Sequence, residues 1–370
     1  MQLSTSKDAL LPPLSLVAGA ADPRGTIPML ATVLLKATDG RLSMLCSDTG
    51  LVARSLAHCT IESDGEIAVD VKRLSDLVRA IPDTESLQVT LEEKGTLLVK
   101  AGRSRFRLPT HPAAEFPRLK AEEAERVAVV VSVKRLAEMF EQVTPAMAQA
   151  DMRAYLNGTL LALQDGHLWV VATDGFRLAV AREPVAGTEG IAPKEVILPR
   201  KTVLLARKLL GQSGDVKVTL GATDAQFSFQ DGSLVFGKAI DGKYPAFRSV
   251  IPSDGACATV NASRLAEGLS MLEAATVAAK DSGARVVEVG FTKQLLTLAH
   301  GDTARCELDA ECTGDAQTVA FNIEFLKDAV GAIGRGQEKV RLFYQGPTKP
   351  LVVKPLAADY PLSVVMSYRN

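Results

Sequence analysis

The 370-residue sequence predicts an α+β chain of three similar domains, each with two helices and two small sheets. Three observations carry that expectation: a layout that recurs at domain-sized spacing, a second helix in every third, and hairpin signals after those helices. Length alone asks for more than one core, because a domain usually holds about 100–200 residues.

The recurring layout is read in three stretches. They are GEIAVDVKRLSDLVRAIPDTESLQVTLEEKGTLLVKAGRSRFRL from Gly65, EVILPRKTVLLARKLLGQSGDVKVTLGATDAQFSFQDGSLVFGKAI from Glu195, and QTVAFNIEFLKDAVGAIGRGQEKVRLFYQGPTKPLVVKP from Gln317. Each runs as an alternating strand, an amphipathic helix, a Gly/Pro/Asp break and then further alternating strands. The equivalent helix residues Leu74, Leu204 and Leu326 recur about every 120–130 positions, the length of a domain rather than of a solenoid repeat. An earlier helix is expected around Lys7–Val17, Val133–Val143 and Ala262–Ala274. Hairpin signals follow at Asp39-Gly40, at Asp165-Gly166 and in the strand pair VVEVGF/LLTLAH. Boundaries fall in the charged run KAEEAER near 125 and the turn-rich PSDGA near 253, giving domains 1–125, 126–253 and 254–370.

Composition narrows the function classes. Apolar residues at 47% and charged residues at 23% are the balance of a folded soluble chain. The opening MQLSTSKDALLPPLSLVAGA lacks a basic n-region and is interrupted by Pro12 and Pro13, so it reads as the start of the fold. No window approaches the roughly 18–20 apolar residues of a membrane span, and a cytoplasmic protein without a membrane partner is expected. The cysteines Cys46, Cys59, Cys257, Cys306 and Cys312 are odd in number and without metal-ligand spacing, so neither a metal site nor a disulfide framework is expected. The formal net charge of −1 means that any basic surface is local.

Catalytic chemistry finds no footing. His58, His111, His167 and His300 are scattered and form no H-E-x-x-H or H-x-E pattern, and no G-x-S-x-G elbow is present. The stretch from Gly232 to Lys238 spells G-x-x-x-x-G-K, the beginning of a phosphate-binding loop. Ala239 stands where the Mg²⁺-holding Ser or Thr belongs, and AIDGKYP follows where a helix is required, so a hairpin strand is the expected structure there. Carboxylate pairs such as Glu92/Glu93 and Glu122/Glu123 lie in charged runs that read as solvated faces. The chain is therefore expected not to be an enzyme and to need no cofactor; a nucleotide-dependent enzyme built on the Gly232 stretch is the alternative from another class.

Charge sign is segregated on the helices. Leu198–Leu210 carries Arg200, Lys201, Arg207 and Lys208 without an acid, while its apolar residues at 203, 204, 205, 209 and 210 give a core side. VKRLSDLVR adds Lys72, Arg73 and Arg79 against one Asp76; VSVKRLAEMF adds Lys134 and Arg135; Lys7, Arg264 and Lys327 continue the series. Basic residues at repeated positions attract phosphate in one place. None of these helices has a base-reading pattern, so any contact with nucleic acid is expected to be sequence-independent.

Across essentially its whole length the chain resembles the beta subunit of bacterial DNA polymerase III, the replicative sliding clamp. The most specific pieces are ATDGFRLA (Ala172–Ala179), similar to the family's A-T-D-G-[HY]-R-L-A, and DGKYPAFRSVIP (Asp241–Pro252). DMRAYLNG from Asp151, GRSRFRLPTHPAAEFPRL from Gly102, LPRK from Leu198 and the terminal VVMSYRN support them. The resemblance implies a DNA-clamp fold of three two-helix, two-sheet domains, and a head-to-tail homodimer that closes a six-domain ring with helices lining the hole.

It also implies functional residues. Arg24 and Arg73 match positions that contact DNA. Before Asp151, Gln149 or Ala150 takes the family's glutamine site, Tyr155 matches the second of a tyrosine pair, and Ala154 replaces the first. Arg153 in the same loop, with Arg200 and Lys201 on the basic helix, is grouped with them. A hydrophobic groove between the second and third domains takes a short peptide motif from the polymerase III catalytic subunit, the clamp loader, and other polymerases and repair proteins. The matching positions are Leu156, Thr173, Gly175, Phe176, Arg177 and Leu178, then Pro245, Val250 and Pro350, and finally Val364, Val365 and Met366. Phe106 matches an aromatic of the dimer interface. Two departures stand out: Phe176 replaces the usual His or Tyr, and Met366-Ser367-Tyr368-Arg369-Asn370 replaces the family's terminal M-P-M-R-L. They leave open a clamp paralogue serving repair or a plasmid, and they bear on which peptide motif is preferred.

Overall fold

A computed structural model describes residues 1–83, 85–93, 95–117, 126–188, 190–210, 213–252, 255–276 and 285–368. The expected boundaries near 125 and 253, the pair Glu122/Glu123, and Arg369 and Asn370 lie outside the described residues.

Six helices are described: α1 (Lys7–Val17), α2 (Val71–Ala80), α3 (Val133–Val143), α4 (Arg200–Leu209), α5 (Ala262–Thr276) and α6 (Ile323–Gly334). Each follows directly on a strand, respectively Gln2–Ser6, Gly65–Asp70, Val127–Ser132, Lys194–Pro199, Ala256–Asn261 and Gln317–Asn322. The last strand residue often serves as the helix cap. The Ser6 hydroxyl accepts from Ala9 N at 3.2 Å, Asp70 Oδ1 from Arg73 N at 2.7 Å, and Asn261 Oδ1 from Arg264 N at 3.0 Å. Asn322 Oδ1 takes two, from Glu324 N at 2.9 Å and Phe325 N at 3.3 Å. These bonds satisfy donors that the first turn of a helix leaves orphaned.

In α1, Pro12 and Pro13 lie inside the helix, where each removes a backbone donor. Tertiary packing overrides that loss, because Leu10, Leu14 and Val17 on one face are buried. In α4 the core side is Thr202, Val203, Leu205, Ala206 and Leu209, with the expected Leu204 only half-buried.

The chain packs as two compact units. The first comprises Met1–Lys134 with Lys201–Ala239. Its strands form one antiparallel sheet in the order Val127–Ser132, Asp215–Leu220, Asp224–Phe229, Leu234–Lys238, Leu51–His58, Arg41–Ser47, Thr32–Thr38, Gly65–Asp70, Ser104–His111, Thr96–Ala101, Ser86–Glu92, Gln2–Ser6 and Thr60–Ser63. The second unit comprises Arg135–Arg200 with Ile240–Asn370. Its sheet runs Lys194–Pro199, Gly158–Gln164, His167–Thr173, Arg177–Pro184, Leu362–Val365, Leu351–Pro355, Lys339–Tyr344, Ala256–Asn261, Ala304–Cys312, Leu295–His300, Val286–Phe291 and Gln317–Asn322. No described helix is long and apolar enough to cross a membrane.

The small sheets expected within each third are thus not separate. Leu51–Arg54 pairs with Leu234–Gly237, and Arg177–Val180 pairs with Leu362–Val365. An edge strand has unpaired N–H and C=O groups, and the neighbouring third supplies their partners. The stretch that spelled a phosphate loop, Leu234–Lys238, is one of these strands, flanked on both sides. The two-residue turns at Asp39-Gly40 (φ 52° and 72°) and Asp165-Gly166 (φ 53° and 72°) place both residues in the left-handed region. That geometry matches the twist of the strands they join.

Inside the first unit, Arg126 Nη2 donates to Asp224 Oδ1 at 2.6 Å, and the aspartate side chain is only 3% exposed. Arg126→Met leaves that carboxylate buried and unpaired, with an expected loss of about 3 kcal/mol in urea unfolding. Adding Asp224→Leu should recover most of it; a double variant no more stable than Arg126→Met would show that the pair is not the cause.

Candidate functional site

The site is built on the turn within Ala172–Ala179, in the second unit. Asp174 organises it: Oδ1 accepts from Phe176 N at 2.9 Å and from Arg177 N at 3.0 Å, while Oδ2 accepts from Arg177 Nε at 2.9 Å. The Thr173 hydroxyl donates to Arg177 O at 2.6 Å and accepts from Gly175 N at 3.1 Å. Gly175 sits at φ 91°, where a side chain would be strained. With its backbone tied in this way, the turn holds the phenyl ring of Phe176 63% exposed.

The adjoining strand completes the frame. Arg177 pairs with Val365 and Leu178 with Val364, and Met366 N donates to Phe176 O at 2.9 Å. Leu156, Leu178, Val364 and Val365 are buried, whereas Met366, bonded to Phe176 through the backbone, is 40% exposed and Val250, on the 3-10 helix Phe247–Val250, is 51% exposed. Pro245 is exposed next to the buried Tyr244, whose hydroxyl donates to Val171 O at 3.3 Å. Pro350 precedes Leu351, the residue that pairs with Val365. Thr173, Arg177, Leu178, Val364 and Val365 thus lie on strands of one sheet, Leu156 and Val250 on 3-10 helices, and Gly175, Phe176, Pro245, Pro350 and Met366 outside the strands.

Two residues that sequence reasoning missed share the site. Arg177 Cζ lies 4.3 Å above the centroid of Phe325, and Arg177 Nη1 donates to Asp328, both on α6. With Gln142, Pro145 and Ala146 they line a cleft against Leu178 and Val364. The sequence signal for Phe325 was a single aromatic among the apolar residues of α6.

The first unit repeats the backbone of this turn. Asp48 Oδ1 accepts from Gly50 N at 3.1 Å and Leu51 N at 2.8 Å, and Lys238 N donates to Gly50 O at 2.7 Å. Gly50, Leu51 and Lys238 stand there where the second unit has Phe176, Arg177 and Met366. The frame is common to both; the apolar side chains are not.

The residues expected to meet DNA fall into two groups. Arg24, in the turn Asp22–Gly25, and Arg73, on α2, are exposed, and neither guanidinium has a partner among the described residues. Gln149, Ala150 and Ala154 are exposed and Tyr155 is half-buried. Arg200 and Lys201 are engaged: Arg200 Nη1 donates to Met147 O at 3.2 Å, and Lys201 donates to Ala21 O at 3.3 Å and pairs with Asp48. Arg153 has intramolecular partners. It clasps Asp151 through Nε at 2.9 Å and Nη2 at 2.8 Å and leans on the groove turn, reaching Asp174 O at 3.5 Å.

Phe106 lies 38% exposed on Ser104–His111. That strand pairs along one side with Thr96–Ala101, and on the other only Thr110 and His111 are paired. Ala304–Cys312 in the second unit has the same form, paired with Leu295–His300 on one side and on the other only from Ala310 to Cys312. Each presents an open edge.

Among the described residues no group of three or more His, Cys, Asp or Glu side chains is placed to hold a metal. Burial pushes the thiols of Cys46, Cys59, Cys257 and Cys312 up, away from the reactive thiolate form.

The Arg153 guanidinium beside Asp151, together with the Arg153 backbone N–H, holds that carboxyl at about 2. The sign follows from the depression: the clasp is complete above the ordinary carboxylate pKa of about 3.9 and dissolves as pH falls towards the lowered value. Carboxyl-carbon NMR should place Asp151 below the other aspartates, and Arg153→Ala should return it to the ordinary range; an unmoved titration would refute the clasp.

Comparison with known proteins agrees with this geometry. The chain matches three family models of the DNA polymerase III beta subunit: the N-terminal domain over residues 1–120, the central domain over 130–246 and the C-terminal domain over 248–369. It is 35% identical to the beta sliding clamp of Pseudomonas aeruginosa and 31% identical to that of Escherichia coli K12, in both cases over 100% of each chain. Among solved structures, the P. aeruginosa sliding clamp bound to griselimycin superposes with a TM-score of 0.91 at 31% identity, covering 100% of both chains. The Caulobacter crescentus clamp with polyethylene glycol in a putative beta-motif tethering region gives 0.90 at 27%, covering 100% of this chain and 99% of that one. The chain belongs to the DNA polymerase III beta-subunit family, the bacterial sliding clamps, and has their three-domain fold.

Proposed function

We infer that the chain is a replicative processivity factor: a homodimer that encircles duplex DNA and tethers a polymerase through the groove at Phe176. The observation that carries this reading is the pair of exposed apolar side chains, Phe176 and Met366, joined by a backbone hydrogen bond on a tied turn, in a chain that matches all three domain models of the clamp family. A concave apolar surface with a few fixed polar groups suits a short linear peptide. The polymerase III catalytic subunit, the clamp loader, and other polymerases and repair proteins are the partners that this groove would serve in turn. The protein acts in the cytoplasm, without catalysis, metal or cofactor. The three domains divide at 125 and 253.

The homodimer reading rests on the two open edges. The edge around Phe106 carries Arg105 and Arg107, the latter paired with Glu92, and the edge Ala304–Asp309 carries Glu307 and Asp309, with Arg305 paired to Glu307. A basic edge of one protomer adding to an acidic edge of its partner satisfies backbone groups and charges together, head to tail, and two such contacts close a ring. Light scattering after size exclusion should give about twice the chain's 39.3 kDa. Phe106→Arg or Glu307→Lys should shift it towards the monomer; a wild-type monomer at micromolar concentration would sink the reading.

Encirclement predicts topology-dependent retention. Loaded with its clamp loader and ATP, the chain should stay on circular DNA and leave the linearised form. Equal retention on both would indicate an ordinary groove binder. Charge reversal of Arg24 and Arg73 should impair loading and leave peptide binding unchanged, whereas Met366→Ala should weaken peptide binding about tenfold and spare DNA retention. Phe176 and the variant tail favour, as a second reading, a clamp paralogue with its own peptide preference.

A further inference from the structure

We propose that Arg182 and Arg248 form an anion-binding subsite on the flank of the peptide groove, which takes acidic side chains adjoining the apolar residues of a partner's peptide. The inference rests on the groove reading above and adds a chemical specificity to it. Its platform is Trp169, 4% exposed and fixed by its indole N–H donating to Gln164 O at 3.2 Å. Tyr360 meets the indole edge-on with centroids 5.3 Å apart, and Phe247 lies tilted at 6.2 Å. Onto this aromatic bed two guanidinium groups are laid. Arg182 Cζ is 4.3 Å from the Tyr360 centroid and 5.3 Å from that of Trp169; Arg248 Cζ is 4.6 Å from the Trp169 centroid and 5.5 Å from that of Phe247.

Stacking uses the faces of the guanidinium groups and leaves their in-plane N–H donors available. Those donors are poorly matched. The Arg182 guanidinium has no ion pair among the described residues, and the neighbouring Glu183 carboxylate is held by Arg135 at 2.6 Å. Arg248 reaches only Asp165, at 3.8 Å, and that side chain is 70% exposed. Two cations are thus pre-oriented, with their side-chain freedom already reduced and their hydrogen bonds unmade, an arrangement suited to carboxylates.

Location ties the pair to the groove. Arg182 is on the strand Arg177–Pro184, which begins with Arg177 and Leu178, and Arg248 is on the 3-10 helix Phe247–Val250, which ends with Val250. A peptide seated on Val250 and Leu178 therefore passes elements that carry both charges. An acidic flanking segment is complementary to them, and a basic one is repelled.

The test uses fluorescence anisotropy with a short Leu/Phe-rich clamp-binding peptide, extended at either end by Asp-Asp or by Asn-Asn, on the full-length protein. Wild type should bind one of the acidic peptides about three- to tenfold more tightly than its neutral twin at about 50 mM salt, and the preference should fade towards 0.5 M. Arg182→Gln and Arg248→Gln should each reduce that preference and leave the neutral peptides' affinity unchanged, which also reports an intact groove. Equal binding of acidic and neutral peptides by wild type, or a preference that survives in the double variant, would overturn the subsite while leaving the groove standing. Binding of none of the four peptides would overturn both.

Discussion

An antiparallel strand at the edge of a sheet has a row of unpaired backbone groups, and most of this architecture follows from how those rows are filled. The pairing of Leu51–Arg54 with Leu234–Gly237 and of Arg177–Val180 with Leu362–Val365 turns a sequence of three thirds into two continuous sheets. The second junction fixes where a groove can exist, because Met366 leaves the strand there and Phe176 leaves the turn beside it. The edges that stay open, at Ser104–Pro109 and Ala304–Asp309, are opposite in local charge. One constraint thus organises the interior, locates the groove and supplies the proposed contact between copies.

Comparison of the two junctions separates structure from function. Asp48 and Asp174 make the same pair of hydrogen bonds to the two following-turn amides, and the same backbone bond links Gly50 to Lys238 as links Phe176 to Met366. The aspartate is thus a device for closing the turn, needed wherever a neighbouring third adds its strand. Exposed apolar area is what differs. Glycine and lysine give a peptide little to bury, whereas a largely exposed phenylalanine bonded through its backbone to an exposed methionine offers side chains whose burial contributes about 25 cal/mol for each Å² removed from water. Arg177, held between Asp174, Asp328 and the Phe325 ring, fixes the strand under that surface to α6.

Much of this was legible in the sequence because it is local. The six helices, the strands that lead into three of them and the two Asp-Gly turns follow from short-range backbone chemistry, and the repeat supports the helix expectations across the thirds. The proposed groove residues come from the resemblance carried by the ATDGFRLA and DGKYPAFRSVIP motifs. What stayed hidden depends on contacts distant in sequence. Nothing near Phe325 or Asp328 indicates that they meet Arg177, about 150 positions away. Nor does the sequence around Arg153 indicate that its guanidinium reaches the carbonyl of Asp174. The merging of small sheets was likewise invisible, since strand periodicity specifies which face is buried and not which edge will be joined.

The placement of the cations bears on how a clamp holds DNA without gripping it. Of the arginines and lysines expected at the nucleic acid, Lys201 is neutralised by Asp48 and Arg200 bonds to the Met147 carbonyl, whereas Arg24 and Arg73 are free among the described residues. Each cation that engages a phosphate releases counterions and steepens the dependence of affinity on salt, so a small number of free guanidinium groups means a shallow slope and weak local contact. For a protein closed around the duplex that weakness is an advantage. In the ring proposed above, residence depends on the strand-edge contacts between copies, and motion along the DNA on contacts that exchange from phosphate to phosphate. Retention and sliding are then governed by different residues, which is why changes at the open edges and at Arg24 and Arg73 should affect different measurements.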